Sequence, residues 1–385
     1  MSEDNKLIYL DHAATTKPRK EVVEAMLPYL GEKYYNPSAY YRVANNVKND
    51  METARARIAL CLQVQAGSIY FTGGGTESDN WAIRAAIAGA GIKGSGGKKG
   101  KHIISTRIEH PAVSNTLRYL EENGCEVTRL GTDRYGMISV DELADAIREN
   151  TVLISVMHAN NEIGTIEPIE EIGRIAHERG VLFHTDAVQS FGHIPIDMSS
   201  IDLLSASSHK IYGPKGVGLL YINPKIRLGR MMFGGNQEMG RRPGTENVAG
   251  IMGFAKAAEL IFDETDNLAE HDNSLRERLK RELSEAIPGV RFSGHPDRHL
   301  PGILSVTFEH MSNEVILIGL DREEILASAG SACSTGAMEP SKVLKACGAS
   351  DEEAHGTIRF SIGRENTEED IDETVRVLKK IVNRS

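Results

Sequence analysis

The chain has 385 residues, 25% of them charged and 40% hydrophobic, with a net charge of -10. That balance fits a soluble globular protein with a large core and two or three domains, and it argues against a nucleic-acid backbone as partner. No apolar run approaches the length of a membrane span and nothing resembles a signal peptide, so no membrane partner and a cytoplasmic home are expected.

The four cysteines, Cys61, Cys125, Cys333 and Cys347, are scattered and form no CxxC pair. They indicate neither a disulfide framework nor a metal site.

Residues 7–10 form a short extended run that ends in the polar stretch Asp11-His12-Ala13-Ala14-Thr15-Thr16. Helices are expected over 21–30, after Pro18, and over 43–62, with a turn at Asn36-Pro37-Ser38 between them. Residues 69–72 read as a strand, Gly73-Gly74-Gly75-Thr76 as a turn and 77–88 as a helix, with Thr76 and Asp79 at capping-box spacing. Strand, small-residue turn and helix N-terminus together make an anion site suited to phosphate; an ordinary cap is the alternative. The spacing fits neither a Walker A motif nor a dinucleotide fingerprint.

After a glycine-rich loop over 89–100, strands over 102–106, 126–130, 152–157 and 181–184 alternate with helices over 112–123, 139–148 and 168–179. Apolar strands without clean alternation, interleaved with helices, indicate an α/β fold with a mostly parallel sheet covered by helices. Two further strands, 203–206 and 217–222, flank the turn Ser207-Ser208-His209-Lys210-Ile211-Tyr212-Gly213-Pro214-Lys215-Gly216. Helices over 248–261 and 263–286 follow, the second highly charged. Beyond Pro288-Gly289, strands over 303–308, 325–329 and 356–361 mix with helices over 313–320, 340–346 and 368–383, as in a smaller α+β domain.

Polar residues collect just after the strands: Thr76, His110, Asn161, Asp186, Gln189 and the pair His209-Lys210. In an open α/β sheet the carboxyl ends of the strands form the binding crevice, so one shared site explains them better than coincidence does. Taken alone, the lysine turn reads equally as a solvated surface turn or as a desolvated Schiff-base lysine.

Seven stretches in order carry a resemblance: Leu10 to Thr16, Gly74 to Ser78, Asn160 to Gly164, His184 to Gln189, Ser208 to Gly216, Arg242 to Asn247, and Gly330 to Gly336. With them the chain resembles the fold-type I pyridoxal-phosphate enzymes, and more closely the cysteine desulfurases of the NifS/IscS kind. The resemblance covers nearly the whole length. It implies a large cofactor-binding α/β domain over 18–262 and a small α+β domain combining 1–17 with 263–385. It also implies a homodimer, with L-cysteine as substrate and a sulfur-acceptor or scaffold protein as partner. Iron–sulfur cluster assembly is the commonest pathway for such enzymes; tRNA or DNA thiolation uses the same chemistry. No direct nucleic-acid binding is expected.

By the same resemblance, pyridoxal 5'-phosphate is bound covalently to Lys210, which then carries the substrate proton. Asp186 pairs with the ring nitrogen, Gln189 and Asn161 lie at the phenolate oxygen, and His110 stacks on the ring and moves protons. Gly75, Thr76, Ser207 and His209 hold the phosphate, with Thr245 reaching the partner's site. Asn36 and Arg359 meet the substrate; a guanidinium suits an α-carboxylate, and Arg364 is read as structural. Cys333 is the nucleophile that becomes a persulfide, and thiolate character with access is what that role needs. One departure is present: where the family commonly has a histidine after Asn36-Pro37-Ser38, this chain has Ala39-Tyr40-Tyr41-Arg42. The competing activities are a selenocysteine lyase, an ordinary aminotransferase and an inactive scaffold.

Overall fold

The computed structural model describes residues 7–89, 91–92, 101–330 and 340–383. Cys333 lies outside them.

A seven-stranded sheet forms the centre, in the order Ile69–Thr72, Gly218–Ile222, Leu203–Ser207, Leu182–Asp186, Thr151–Ser155, His102–Thr106 and Glu126–Leu130. Gly218–Ile222 pairs antiparallel with both neighbours, and the other six strands share one direction. All but the edge strand Glu126–Leu130 are buried along their whole length. That explains why their sequences show apolar residues without clean alternation.

Helices cover both faces. Gly75–Ile87 and Pro111–Glu122 pack with Trp81, Ile83, Val113 and Leu117 on one side. Arg42–Cys61, Ile169–Glu178 and the start of Val248–Ala286 pack on the other.

The two helices expected over 248–261 and 263–286 are one helix, Val248–Ala286, of 39 residues. At about 1.5 Å per residue it spans roughly 58 Å. Its first half buries Ile251, Phe254 and Ile261 in the large core. Its second half buries Leu275, Leu279 and Leu283 in a separate core with Leu304, Phe308, Phe360 and Leu378. The change in composition near residue 262 therefore marks a change of neighbours, not an end of the helix. Truncating Leu279 to alanine is expected to cost about 2–5 kcal/mol, as deep leucine deletions do.

The second core lies against a three-stranded antiparallel sheet, Arg291–Ser293, Ile303–Thr307 and Thr357–Ser361. The N-terminal segment joins it: Ile8–Tyr9 pairs parallel with Ile325–Leu326, and Ile8 and Leu10 are buried there. Asp11 continues the contact by bridging to Ser361. The strand Arg291–Ser293 and the helix Asp351–His355 were not expected from sequence, and the helix over 340–346 is Lys342–Ala346.

Among the described residues no helix is long and apolar enough to cross a membrane. No group of three or more His, Cys, Asp or Glu among them could hold a metal.

Candidate active site

The carboxyl ends of the parallel strands open into a cavity of about 500 Å³. It is lined by Gly75, Thr76, His110, Asn161, Asp186, Gln189, Ser207, His209, Lys210 and Arg359, joined by Asp11, Ala13, Ala14 and Asp79. Asn36 and Thr245 are not among its lining residues. Asn36 is exposed in a turn, where its Oδ1 accepts from Ser38 N–H at 2.9 Å. Thr245 is exposed beside a separate cavity of about 150 Å³.

One end of the cavity is built by backbone. The helix Gly75–Ile87 starts at the turn itself, with Gly74 as N-cap and no side-chain cap. The Thr76–Asp79 capping box is thus not formed. The glycines start the helix early, and Asp79 turns inward, 1% exposed. Gly74 sits at φ 149, and a Cβ on Gly75 would meet Val188 Cγ2 at 2.5 Å. Both positions therefore demand glycine. The uncapped helix start, with Ser207 and His209 beside it, is the donor set an anionic phosphate needs. His209 is held neutral, its ring pushed down to about 4 by burial and by Lys210 and Lys215.

The centre holds ionisable groups. Asp186 ends its strand, is 6% exposed, and accepts from Val188 N–H at 2.9 Å. Burial raises its carboxyl, while His110, the Val188 N–H and Lys210 act in the opposite sense. His110 caps the helix Pro111–Glu122: its Nδ1 accepts from Ala112 N–H at 3.1 Å, so the neutral ring carries its proton on Nε2. Burial holds this ring below the usual histidine value.

Two further acids were not foreseen. Burial and Asp186 raise Asp79 well above the usual carboxylate range, and burial pushes Glu109 up to about 8. Asp79 lies four residues past Gly75 on the inner face of the helix. That placement is visible only once the helix start is known.

Lys210 ends a short 3-10 turn, Ser208–Lys210. The turn is pinned by His193, whose Nε2 lies 3.0 Å from the Lys210 carbonyl. It is strained just after the lysine, where Tyr212 has φ 62 and is buried. Tyr212 is locked there by Thr16 Oγ1, 2.6 Å from its N–H, and its Oη accepts from Arg364 N–H at 3.1 Å. A non-glycine residue held at positive φ needs such over-determination. Lys210 Nζ donates to the Ala13 carbonyl and, at 2.9 Å, to the Ala14 carbonyl. Burial and the Arg359 charge lower its amine to about 8, with Asp11 and Asp186 acting in the opposite sense. A free-amine fraction is then present near neutral pH. Lys215 is exposed.

The remaining end is self-paired. Arg359 is 4% exposed; its Nη2 donates to Asp11 Oδ1 at 2.6 Å and its Nη1 to the Asn161 carbonyl at 2.9 Å. Its Nε is buried and has no partner among the described residues. Gln189 Nε2 donates to the Ala13 carbonyl at 2.9 Å. Asp11 was visible in sequence within Asp11-His12-Ala13-Ala14, but its pairing across 348 positions was not.

Pyridoxal phosphate fits this donor set: an uncapped helix start for its phosphate, a buried carboxylate for its ring nitrogen and an amine of lowered basicity for its carbonyl carbon.

Residues 8–374 match the family model described as aminotransferase class-V. The chain is 50% identical over 384 residues to a cysteine desulfurase IscS of Methanosarcina thermophila, covering 99% of this chain and 93% of that one. A solved NifS-like protein superposes with TM-score 0.91 at 34% identity over 99% of this chain and all of the other. A structure described as SspA in complex with cysteine superposes with TM-score 0.78 at 36% identity, covering 94% of this chain and all of that one. The architecture is therefore that of the fold-type I pyridoxal-phosphate-dependent transferases.

Proposed function

The chain belongs to the cysteine desulfurases of the class-V aminotransferase family, and from that membership we propose that it converts L-cysteine to L-alanine and passes the sulfur on as a persulfide of Cys333. The observation that carries the proposal is the convergence of Lys210, Asp186 and His110 with an uncapped helix start in one cavity. The likeness to a structure holding cysteine supports cysteine as substrate.

Lys210 is the residue that would hold pyridoxal phosphate covalently. The bound group supplies an electron sink for negative charge developing at the amino-acid α-carbon. Asp186 keeps a proton on the ring nitrogen. The Lys210 amine, once free, takes the α-proton and returns it. His110 offers an Nε2 proton and a ring face at the same opening. Gly75, Thr76, Ser207 and His209 orient the phosphate, and Asn161 and Gln189 serve the ring oxygen; Asn36, exposed in its turn outside this cavity, could meet the substrate only if its turn moved.

The substrate α-carboxylate is received by Arg359, which exchanges its Asp11 contact for a bidentate one. The Cys333 thiolate then attacks the substrate sulfur. The new S–S bond forms as the Cβ–S bond breaks, the electron pair stays with the carbon skeleton, and protonation there yields alanine.

The described cysteines are poor candidates for this role. Burial pushes the Cys61 and Cys347 thiols up to about 11 and raises Cys125 as well. A thiolate is the form that attacks.

The working form is a homodimer in the cytoplasm. Exposed apolar side chains at Leu27, Leu30, Tyr34, Tyr40 and Tyr41 cluster around the connection between Lys20–Leu30 and Arg42–Cys61, as an interface would require. Thr245 reaches the partner's phosphate. Residues 18–262 act as the cofactor domain, and 1–17 with 263–385 as the small domain that carries Cys333. The sulfur acceptor is a scaffold protein of iron–sulfur cluster assembly.

Turnover of L-cysteine tests the reading, with alanine and sulfide measured together. Equal yields are expected, with loss of both products in Lys210→Ala and in Cys333→Ser. Retained turnover in Cys333→Ser, or faster turnover of selenocysteine with Cys333 dispensable, would indicate a selenocysteine lyase instead. A requirement for a keto acid would indicate an aminotransferase.

A further inference from the structure

The segment that carries Thr245 is fastened to the phosphate turn of its own chain. The Glu77 carboxylate accepts from Arg242 Nε at 2.7 Å and Arg242 Nη2 at 3.0 Å, and also from Gly73 N–H at 2.8 Å. One side chain thus ties the first glycine of the phosphate turn to an arginine three residues before Thr245. Both ends of the pair are mostly buried, at 20% and 23% exposure. Between Arg242 and Thr245 stand Pro243, which stiffens the chain, and Gly244, whose φ is 102 and whose N–H donates to Gln237 Oε1 at 3.2 Å.

A second clamp holds the near end of the same segment. Glu238 and Met239 both lie at positive φ, 47 and 56, a costly pair for residues with a Cβ. Glu238 is 5% exposed and accepts from both terminal nitrogens of Arg55 at 2.8 Å and from Phe71 N–H at 2.8 Å. Phe71 lies in the strand that leads into the phosphate turn. At the far end Asn247 Nδ2 donates to the Gly216 carbonyl at 3.2 Å, and its Oδ1 caps the long helix through Gly250 N–H at 3.1 Å. A strained segment, fixed by two charged pairs and by the neutral amide of the exposed Asn247, carries an exposed threonine outside its own cavity. Local stability does not call for such a construction; presenting one hydroxyl to something outside the chain does.

We propose that the Glu77–Arg242 pair is a positioning device acting in trans: anchored on one protomer's phosphate turn, it holds Thr245 where the partner protomer's cofactor phosphate is bound. The inference rests on the dimeric reading above. Each phosphate site is then built from one protomer's helix start and from a strap whose footing is the other protomer's phosphate turn. Arg242 sets cofactor affinity without touching the cofactor.

Mixed dimers of full-length protein, assembled from differently tagged chains, test this. Lys210→Ala on one chain leaves a single site whose covalently bound cofactor is read by its absorbance. Titration with pyridoxal phosphate then gives the affinity of that site, with no need for turnover. Placing Arg242→Gln on the Lys210→Ala chain is expected to weaken the intact site on the other chain about tenfold, the cost of a lost charge-assisted bidentate contact. Placing Arg242→Gln on the chain that keeps Lys210 is expected to leave its site near the reference value. Arg242→Lys in trans, which retains charge without the fork, should fall between. Melting temperature and sedimentation of each species confirm folding and dimerisation.

Thr245→Ala in trans serves as the control. A loss with Thr245→Ala but none with Arg242→Gln, or a loss confined to the cis arrangement, overturns the positioning role alone. A monomeric wild type, or no loss with Thr245→Ala in trans, overturns the dimeric reading and this inference with it.

Discussion

The two ends of the cavity are built on opposite principles. The phosphate end is backbone: Gly74, Gly75 and the uncapped start of a helix, with no rearrangement needed to receive an anion. The substrate end is side chain: Arg359 is already bound to Asp11, and Lys210 to the Ala13 and Ala14 carbonyls. One end is preorganised and the other must trade partners when ligands arrive. Preorganisation saves ordering cost at the end that anchors, while exchange at the other end leaves the reacting groups free to change roles.

The largest expected effect falls on the exchanging end. Lys210→Ala should abolish the absorbance of covalently bound cofactor and lower alanine formation by about 10³-fold or more, since it removes both attachment and proton transfer. Asp186→Asn, at the centre, should retain the cofactor but lower kcat about 10²-fold, the scale of losing one preorganised electrostatic partner. An unaltered kcat there would remove Asp186 from the ring-nitrogen role.

The two ends should then separate by kinetic signature. Arg359→Lys should raise KM for L-cysteine by about tenfold while leaving cofactor affinity unchanged. Gly75→Ala should do the reverse. Its Cβ would meet Val188 Cγ2 at 2.5 Å, and overpacking of this kind costs about 1–3 kcal/mol, read here as weaker cofactor binding. If Gly75→Ala altered KM for cysteine and not cofactor retention, the assignment of ends would be wrong.

The smallest effect concerns pH and the apoprotein. The Lys210 amine lies at about 8 in the folded chain against an ordinary 10.5, so the unfolded chain holds the extra proton between those values. Stability therefore rises with pH across that window on account of this group. The difference in melting temperature between Lys210→Met and wild type should be constant below about pH 8 and shift in favour of the wild type up to about 10.5. A difference flat across the window would mean that the amine is not desolvated.

Sequence reading reached the phosphate end more fully than the substrate end, for a physical reason. Glycines and a helix start are local features, so Gly75 and Thr76 could be picked out within their own stretch, whereas Lys210 within its own turn reads equally as a solvated surface lysine. The Arg359–Asp11 pairing at the substrate end joins residues 348 positions apart, and no local pattern encodes it. The Thr76–Asp79 spacing misled because a helix begun at Gly75 converts a would-be cap into an inward-facing buried acid. The single helix Val248–Ala286 read as two because its apolar stripe passes from one core to another.

The sulfur chemistry itself is tested most directly in a single turnover. The cofactor-loaded enzyme is mixed with a stoichiometric amount of L-cysteine, without acceptor or reductant, and quenched. Alanine is then counted and the cysteine-containing peptides are weighed by mass spectrometry. Alanine equal to the cysteine added, with one extra sulfur atom on the peptide containing Cys333, is the expected result. Alanine formed while Cys333 stays unmodified, or sulfur found on Cys61, Cys125 or Cys347 instead, would contradict the assignment of Cys333 as the sulfur-accepting nucleophile.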